Sequence, residues 1–403
     1  MPHSKPQIAT ITPVKTHRRA FTLLVVFASV LIAIGYCLHT LPERWLRQAG
    51  DLLASAPTKA DALAVDVISL GFGNQDQAWL IRCRANLAQR NQLEALGAFS
   101  QIKQPENCVI DDWCKLIEET QAVGHSVLVN TVLSTTLRLK TERSRLLTLA
   151  LPLKANTLDE AESVELVKEL RHIASEMPEC WQAIGKTELA LGRFAESVEA
   201  YRNAVSQSDV STPIGLSVRR ELAQIQLTLG LYLEAESLVI EVMRQSPNQD
   251  DDQLQMAQIK LAIGDRSGAQ QLLNDLINRA PENLQARKLR GELFVAMNEL
   301  KRGQEEFEFC LRVAPYDDEM HYRLSQTLIR QGNLSDAAKH LQESRRISVL
   351  KRKLIDINRR RANSPQDPTL MEDLADTFES LGQQSTSDEW RRNAGSVRLR
   401  NRQ

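Results

Sequence analysis

Six cysteines (Cys37, Cys83, Cys108, Cys114, Cys180, Cys310) and seven histidines (His3, His17, His39, His125, His172, His321, His340) are the residues of this chain best suited to hold a metal or attack a substrate. Their spacing supports neither chemistry. No two cysteines form a C-x-x-C, and a structural zinc site needs four donors in a tight pattern. Cys108 and Cys114 are close enough in sequence to bridge in an oxidising compartment, although a free cysteine is ordinarily a small buried hydrophobe. Cys83 and Cys310 fall in positions that call for small core side chains. His321 and His340 belong to one helical pair and supply only two donors. The chain lacks H-E-x-x-H, G-x-x-x-x-G-K-[ST], G-x-S-x-G and a glycine-rich dinucleotide fingerprint. The expectation is a non-catalytic protein with no cofactor and no metal.

Charge excludes a further class. Fifty basic residues stand against 51 acidic ones, so no global field draws the chain to nucleic acid. The strongest local bias is Arg345–Arg361, with eight basic residues and one acidic residue, Asp356. It reads as a solvated helix face joining two units, with a docking site for an acidic partner or anionic lipid heads as the sharper alternative. Asp250, Asp251 and Asp252 read as negative charge favourable at a helix N-terminus.

The elements that position these residues announce themselves by a period. Trp45, Trp79, Trp113, Leu147 and Trp181 recur at one constant step, and Gly230, Gly264, Asn298 and Gly332 keep the same step, as do Pro247, Pro281 and Pro315. A fixed step of this size means stacked supersecondary units. One unit runs Trp181-x-x-Ile184-Gly185, then Gly192, Phe194, Ser197, Tyr201 and Ala204, and it resembles the tetratricopeptide repeat (TPR). Glu188 stands where that family has tyrosine, and Ser197 where it has alanine. The resemblance implies an all-α solenoid of antiparallel helix pairs. Small residues are then required where helices A and B cross, and the chain offers Gly185, Ala223, Ala257, Gly291 and Ser325 there. Arg290 occupies a slot that is normally leucine, so its unit is expected to be looser.

Units are expected to begin near Pro42, Asp76, Ile110, Ser144, Pro178, Leu216, Asp250, Leu284, Asp318 and Pro368. Those over 42–177 are degenerate, those over 178–351 clear, and a final unit with its tail occupies 368–403. Extra residues at Asp209–Gly215 and in a basic linker over 352–367 mark two candidate hinges.

From Ala20 to Leu41 the chain carries no Asp, Glu, Lys or Arg. That stretch matches the length of about 20 residues that a bilayer core requires of a helix. Lys15, Arg18 and Arg19 precede it, which predicts a cytoplasmic tail over 1–19, a single transmembrane helix over 20–41 and extracytoplasmic repeats, in a periplasm or lumen. A cleaved leader would want an A-x-A-like site, absent after Gly35, and a lipoprotein signal a small residue where Tyr36 stands.

In the TPR family, helix A lines a concave groove that receives peptides. Here that stripe carries Gln182/Lys186, Arg220/Gln224, Leu254/Gln258, Lys288/Glu292 and Tyr322/Gln326, each pair on one helix face. The Lys/Asn clamp that chaperone-binding members use is absent. The resemblance therefore implies a membrane-tethered adaptor that binds a protein or peptide, with Lys186, Arg220, Gln224, Gln258, Lys288, Glu292, Tyr322 and Gln326 as groove residues and a mild preference for acidic segments. The alternative is a structural subunit of an envelope complex that acts through self-association of the repeat array as a homo-oligomer.

Overall fold

The computed structural model describes residues 40–123, 126–155, 160–173, 176–247, 249–364 and 366–400. Among them every regular element is helical. The expected span over 20–41 lies outside the described residues apart from Thr40 and Leu41, and the tail over 1–19 and Cys37 lie outside them too. Among the described residues no helix is long and apolar enough to cross a membrane.

The chain divides into two compact units at Glu142/Arg143. The first holds α1 (40–52), α2 (Pro57–Leu70), α3 (Gln75–Ala88), α4 (Gln92–Phe99), α5 (Ile110–Val123) and α6 (Ser126–Thr136). Its lattice tryptophans pack as expected. Trp45 lies against a core of Leu46, Ala49, Ala60 and Ile81, while Trp113 is fully buried, edge-on to Phe99 at 5.9 Å. The Trp113 indole N–H donates to the carbonyl of Pro105 at 3.2 Å, which satisfies its one polar group.

The second unit opens with α7 (Arg143–Lys154) and α8 (Glu160–Ile173). Five regular pairs follow: α9 (Pro178–Ala190) with α10 (Phe194–Ser206), α11 (Pro213–Thr228) with α12 (Tyr232–Gln245), α13 (Asp250–Ala262) with α14 (Arg266–Arg279), α15 (Leu284–Ala296) with α16 (Leu300–Val313), and α17 (Asp318–Gln331) with α18 (Leu334–Asn363). The pair α19 (Pro368–Ser380) and α20 (Gln384–Arg400) closes it. Helix starts coincide with, or lie within three residues of, every expected unit start from Asp76 onward.

Local chemistry explains the boundaries. Thr212 accepts from the N–H of Gly215 at 3.1 Å and Pro213 sits at the first helical position, while Asp367 with Pro368 repeats the device. Helices α12, α14 and α16 each end two residues before Pro247, Pro281 and Pro315. Between helices A and B the chain turns through one left-handed residue, at Gly192, Gly230, Gly264, Gly332 and Asn298. There the next N–H closes back on a carbonyl five residues earlier, as in Arg193 to Glu188 and Glu299 to Phe294, both 2.8 Å. Arg90 takes this role in the degenerate first unit, with φ 61°, and Asn91 closes on Asn86 at 2.8 Å.

Three expectations need correction. The sixteen extra residues before the last pair do not form a separate linker: most extend α18 into a helix of 30 residues, so only the turn near Asp367 interrupts the path. Arg290 does not loosen its unit, because its guanidinium donates to Glu306 Oε1 at 2.5 and 3.1 Å and to Asn274 at 3.0 Å. Asp252 is more than a favourable end charge, since it is buried and ion-paired to Arg220.

The helix crossings are tight. A Cβ at Gly185 would stand 2.6 Å from the Tyr201 ring, and one at Gly291 2.7 Å from Phe307, which is itself buried and unable to retreat. Gly291→Ala therefore gains about 1 kcal/mol of helix propensity but overpacks a closed core at a cost of about 1–3 kcal/mol. A net loss of stability is expected in urea melts of the full chain, and an unchanged midpoint would contradict this packing.

Candidate peptide-binding groove

Helices α9, α11, α13, α15 and α17 bring the expected stripe into one row, and the structure shows what its charges do. Each of Lys186, Arg220 and Lys288 is engaged by a carboxylate of the next helix A. Lys186 Nζ lies 3.1 Å from Glu221 Oε1. Arg220 donates twice to Asp252, at 2.5 and 2.8 Å. Lys288 donates to Glu319 at 2.5 Å, and Arg323 reaches Glu292 at 3.1 Å. Glu221 is a hub, accepting from Gln182 at 2.9 Å and from the Tyr201 hydroxyl at 2.7 Å. In the first unit Arg84 does the same with Glu119 and Asp112.

Magnitudes separate these pairs. The exposed ones contribute at most about 1 kcal/mol each. Asp252 is 1% exposed, so removing Arg220 would leave a buried charge uncompensated, a loss of about 3–5 kcal/mol. Arg220 is thus a structural residue as much as a candidate ligand contact. The Lys288 and Arg323 cations beside Glu319 hold its carboxyl below the usual range. Glu292 moves the other way. Burial raises it, and the Arg323 and Lys288 cations only partly oppose that.

The structure gathers three expected residues, Arg220, Gln224 and Gln258, around a cavity of about 320 Å³ that Leu254, Asp251 and Gln255 also line. Gln224, Tyr322 and Gln326 are exposed and Gln258 is half-buried. Lys186 lies one helix away beside Glu221, while Lys288, Glu292 and Tyr322 lie further along the row on α15 and α17. What the sequence reading missed are the acids: Glu221, Asp252 and Glu319 follow Lys186, Arg220 and Lys288 at close to one repeat period. The period itself was the available signal. Because those acids neutralise Lys186, Arg220 and Lys288, the stripe has no surplus charge from them to favour an acidic ligand.

The remaining chemical candidates resolve into packing. Cys83, Cys108, Cys180 and Cys310 are buried thiols, and burial pushes Cys108 up to about 12 and Cys310 up to about 11. Among the described residues no three His, Cys, Asp or Glu side chains gather as a metal site. The basic stretch divides. Arg361 is buried with its guanidinium 4.3 Å over the Trp390 ring, Lys351 bonds Asp318, and Arg346 bonds Glu343 at 2.6 Å.

His321 and His340 face each other with Nδ1 atoms 2.9 Å apart, and His321 Nε2 lies 3.0 Å from the Pro315 carbonyl. One consistent proton arrangement has His321 donating through Nε2 and accepting at Nδ1 from a neutral His340.

Stacked antiparallel helix pairs with small residues at each crossing define a helical-repeat protein. Residues 183–250 and 289–348 match the family model described as tetratricopeptide repeat, and over those residues the chain carries such repeats. No curated protein matches it. Among solved structures it is similar to a tetratricopeptide repeat protein from Parabacteroides merdae ATCC 43184, at 13% identity over 59% of this chain and 92% of that one, with a TM-score of 0.49. MamA from Desulfovibrio magneticus RS-1 is 18% identical over 42% of this chain and 94% of that one, TM-score 0.37. YrrB, described as a TPR protein with an unusual peptide-binding site, is 13% identical over 45% and 91%, TM-score 0.33.

The histidine contact predicts a pH dependence. Burial, then the neighbouring His321, lowers His340 below the ordinary histidine range, with Lys339 adding to this and Asp336 and Glu308 opposing it. The unfolded imidazole takes its proton near pH 6.5, so below that pH the unfolded chain binds more protons and stability falls until the folded value is passed. The urea midpoint is expected to drop between about pH 7.5 and 5.5, and to drop less in His340→Gln. Equal drops in both proteins would contradict the assignment.

Proposed function

We propose that this protein is a non-catalytic scaffold, tethered by its N-terminal apolar segment, whose row of A helices binds an extended segment of a partner protein. The observation that carries the reading is the cavity around Arg220, Gln224, Leu254 and Gln258. Glutamine amides offer a donor and an acceptor each, matching the N–H and C=O of an extended backbone, and Leu254 supplies apolar contact. Tyr322, exposed on α17, adds an amphipathic anchor of low entropic cost. Affinity arises from many modest contacts, and an acidic ligand gains only where its carboxylates exchange with Glu221, Asp252 or Glu319.

The decisive substitutions are those that spare the ion pairs. Peptides selected from a random library on the full chain are expected to bind Gln224→Ala/Gln258→Ala/Tyr322→Ala at least about tenfold more weakly, a loss of about 1.4 kcal/mol. Equal binding with an unchanged melting profile would place recognition elsewhere.

The tether reading rests on the uncharged stretch from Ala20 to Leu41 and the cations before it. It places the N-terminus in the cytoplasm and the repeats outside, in a periplasm or lumen. A phosphatase active only outside the cytoplasm, fused to the C-terminus, is expected to be active. Fluorescence from a cytoplasm-only reporter at the same position would reverse this topology.

A further inference from the structure

We propose that the solvent face of α18 is a second docking surface, built for an acidic α-helical segment of a partner protein. Its sequence carries three dibasic pairs at a seven-residue step: Arg345-Arg346, Arg352-Lys353 and Arg359-Arg360. Seven residues are almost two helical turns, so the pairs align on one face with a spacing of about 10.5 Å. The other face of the helix is occupied, since Ile347 and Ile357 are buried and Leu354 packs with the cluster of Leu370, Leu374 and Trp390.

All six side chains of the dibasic pairs are exposed; Arg346 pairs with Glu343, and Arg360 acts electrostatically on Asp367 at the start of α19. Among the described residues no carboxylate lies within 4.0 Å of the basic groups of Arg345, Arg352, Lys353, Arg359 or Arg360. Arg352 meets only the carbonyl of Ser348, on its own helix, at 3.4 Å. The one acid on this face is Asp356. The contrast with the groove is sharp, for there each of Lys186, Arg220 and Lys288 is met by a carboxylate of the next repeat. Between the charges stand two aliphatic side chains, Val349 at 54% and Ile355 at 69% exposure.

The seven-residue step selects the occupant. A partner helix with acidic residues at the same heptad positions meets every dibasic pair in register, and its aliphatic residues cover Val349 and Ile355. Arginine supplies three of the four uncompensated cations (Arg345, Arg352, Lys353 and Arg359), and its guanidinium pairs with carboxylates in bidentate geometry. A bilayer surface has no matching period, so it draws on the charge but not on the spacing. The surface belongs to a B helix, apart from the A-helix row, and stands independently of the groove reading.

The test uses the full chain in non-ionic detergent and two fluorescent helical peptides of about three heptads. One has Glu-Glu pairs every seven residues with leucines between them, and the other has the same composition with its glutamates spread around the helix. The in-register peptide is expected to bind at least about tenfold more tightly than the other, and to weaken as salt is raised from about 0.05 to 0.3 M. Arg345→Gln/Arg352→Gln/Arg359→Gln/Arg360→Gln should abolish that preference, while Gln224→Ala/Tyr322→Ala should leave it intact. Equal binding of the two peptides by the unmodified chain overturns the proposal, as does binding to neither. A preference for phosphatidylglycerol nanodiscs over the in-register peptide overturns it in favour of a lipid surface.

Discussion

The close crossing of the two helices within each repeat is the constraint on which the rest depends. At Gly185 and Gly291 the absent side chain lets Tyr201 and Phe307 of the following helix press against the backbone. Ser197 and Ser325 serve the same crossing differently, donating to the carbonyls of Gly185 and Ala337 at 2.8 and 2.9 Å. Once that distance is fixed, the turn between the helices has little freedom, and a left-handed residue closes it. The pairs then stack with successive A helices in contact.

Electrostatics follows from that stacking. Positions one repeat apart become neighbours on adjacent A helices, so a cation and an acid separated by close to one period can meet. The stripe that looks like a set of ligand-seeking cations is therefore partly a set of fasteners between repeats. Gln182 shares that duty through Glu221, whereas the side chains of Gln224, Gln258, Gln326 and Tyr322 have no such bond and stay available to a partner. On α18 the balance is reversed, because Arg345, Arg352, Lys353 and Arg359 meet no carboxylate of a neighbouring helix within 4.0 Å among the described residues.

Departures from the family pattern are compensated locally. Glu188, in a tyrosine slot, is buried and raised by desolvation, with Arg193 at 3.3 Å as its counter-charge. Arg290, in a leucine slot, is held by Glu306, which Arg287 also engages at 3.1 Å. Arg361 is buried and burial lowers its pKa, with the Trp390 face as its cation partner. These three charged groups sit in the interior with a specific neighbour, in keeping with the cost of burying an isolated charge.

The sequence by itself determined the repeat period, the helix pairs, the positions of caps and turns, and the residues of the A-helix row. Those properties depend on local rules and on one period, and both are written along the chain: proline cannot continue a helix, glycine tolerates the left-handed turn, and small residues recur with the repeat. Tertiary structure alone decided which charges are spent. Whether Arg220 is a ligand contact or the partner of Asp252, whether Arg361 is solvated or stacked, and whether the residues after Lys351 are a linker or helix all depend on what stands across a packed interface. The sequence records the charge of a side chain, whereas its energy depends on the neighbour and the solvent that folding leaves around it.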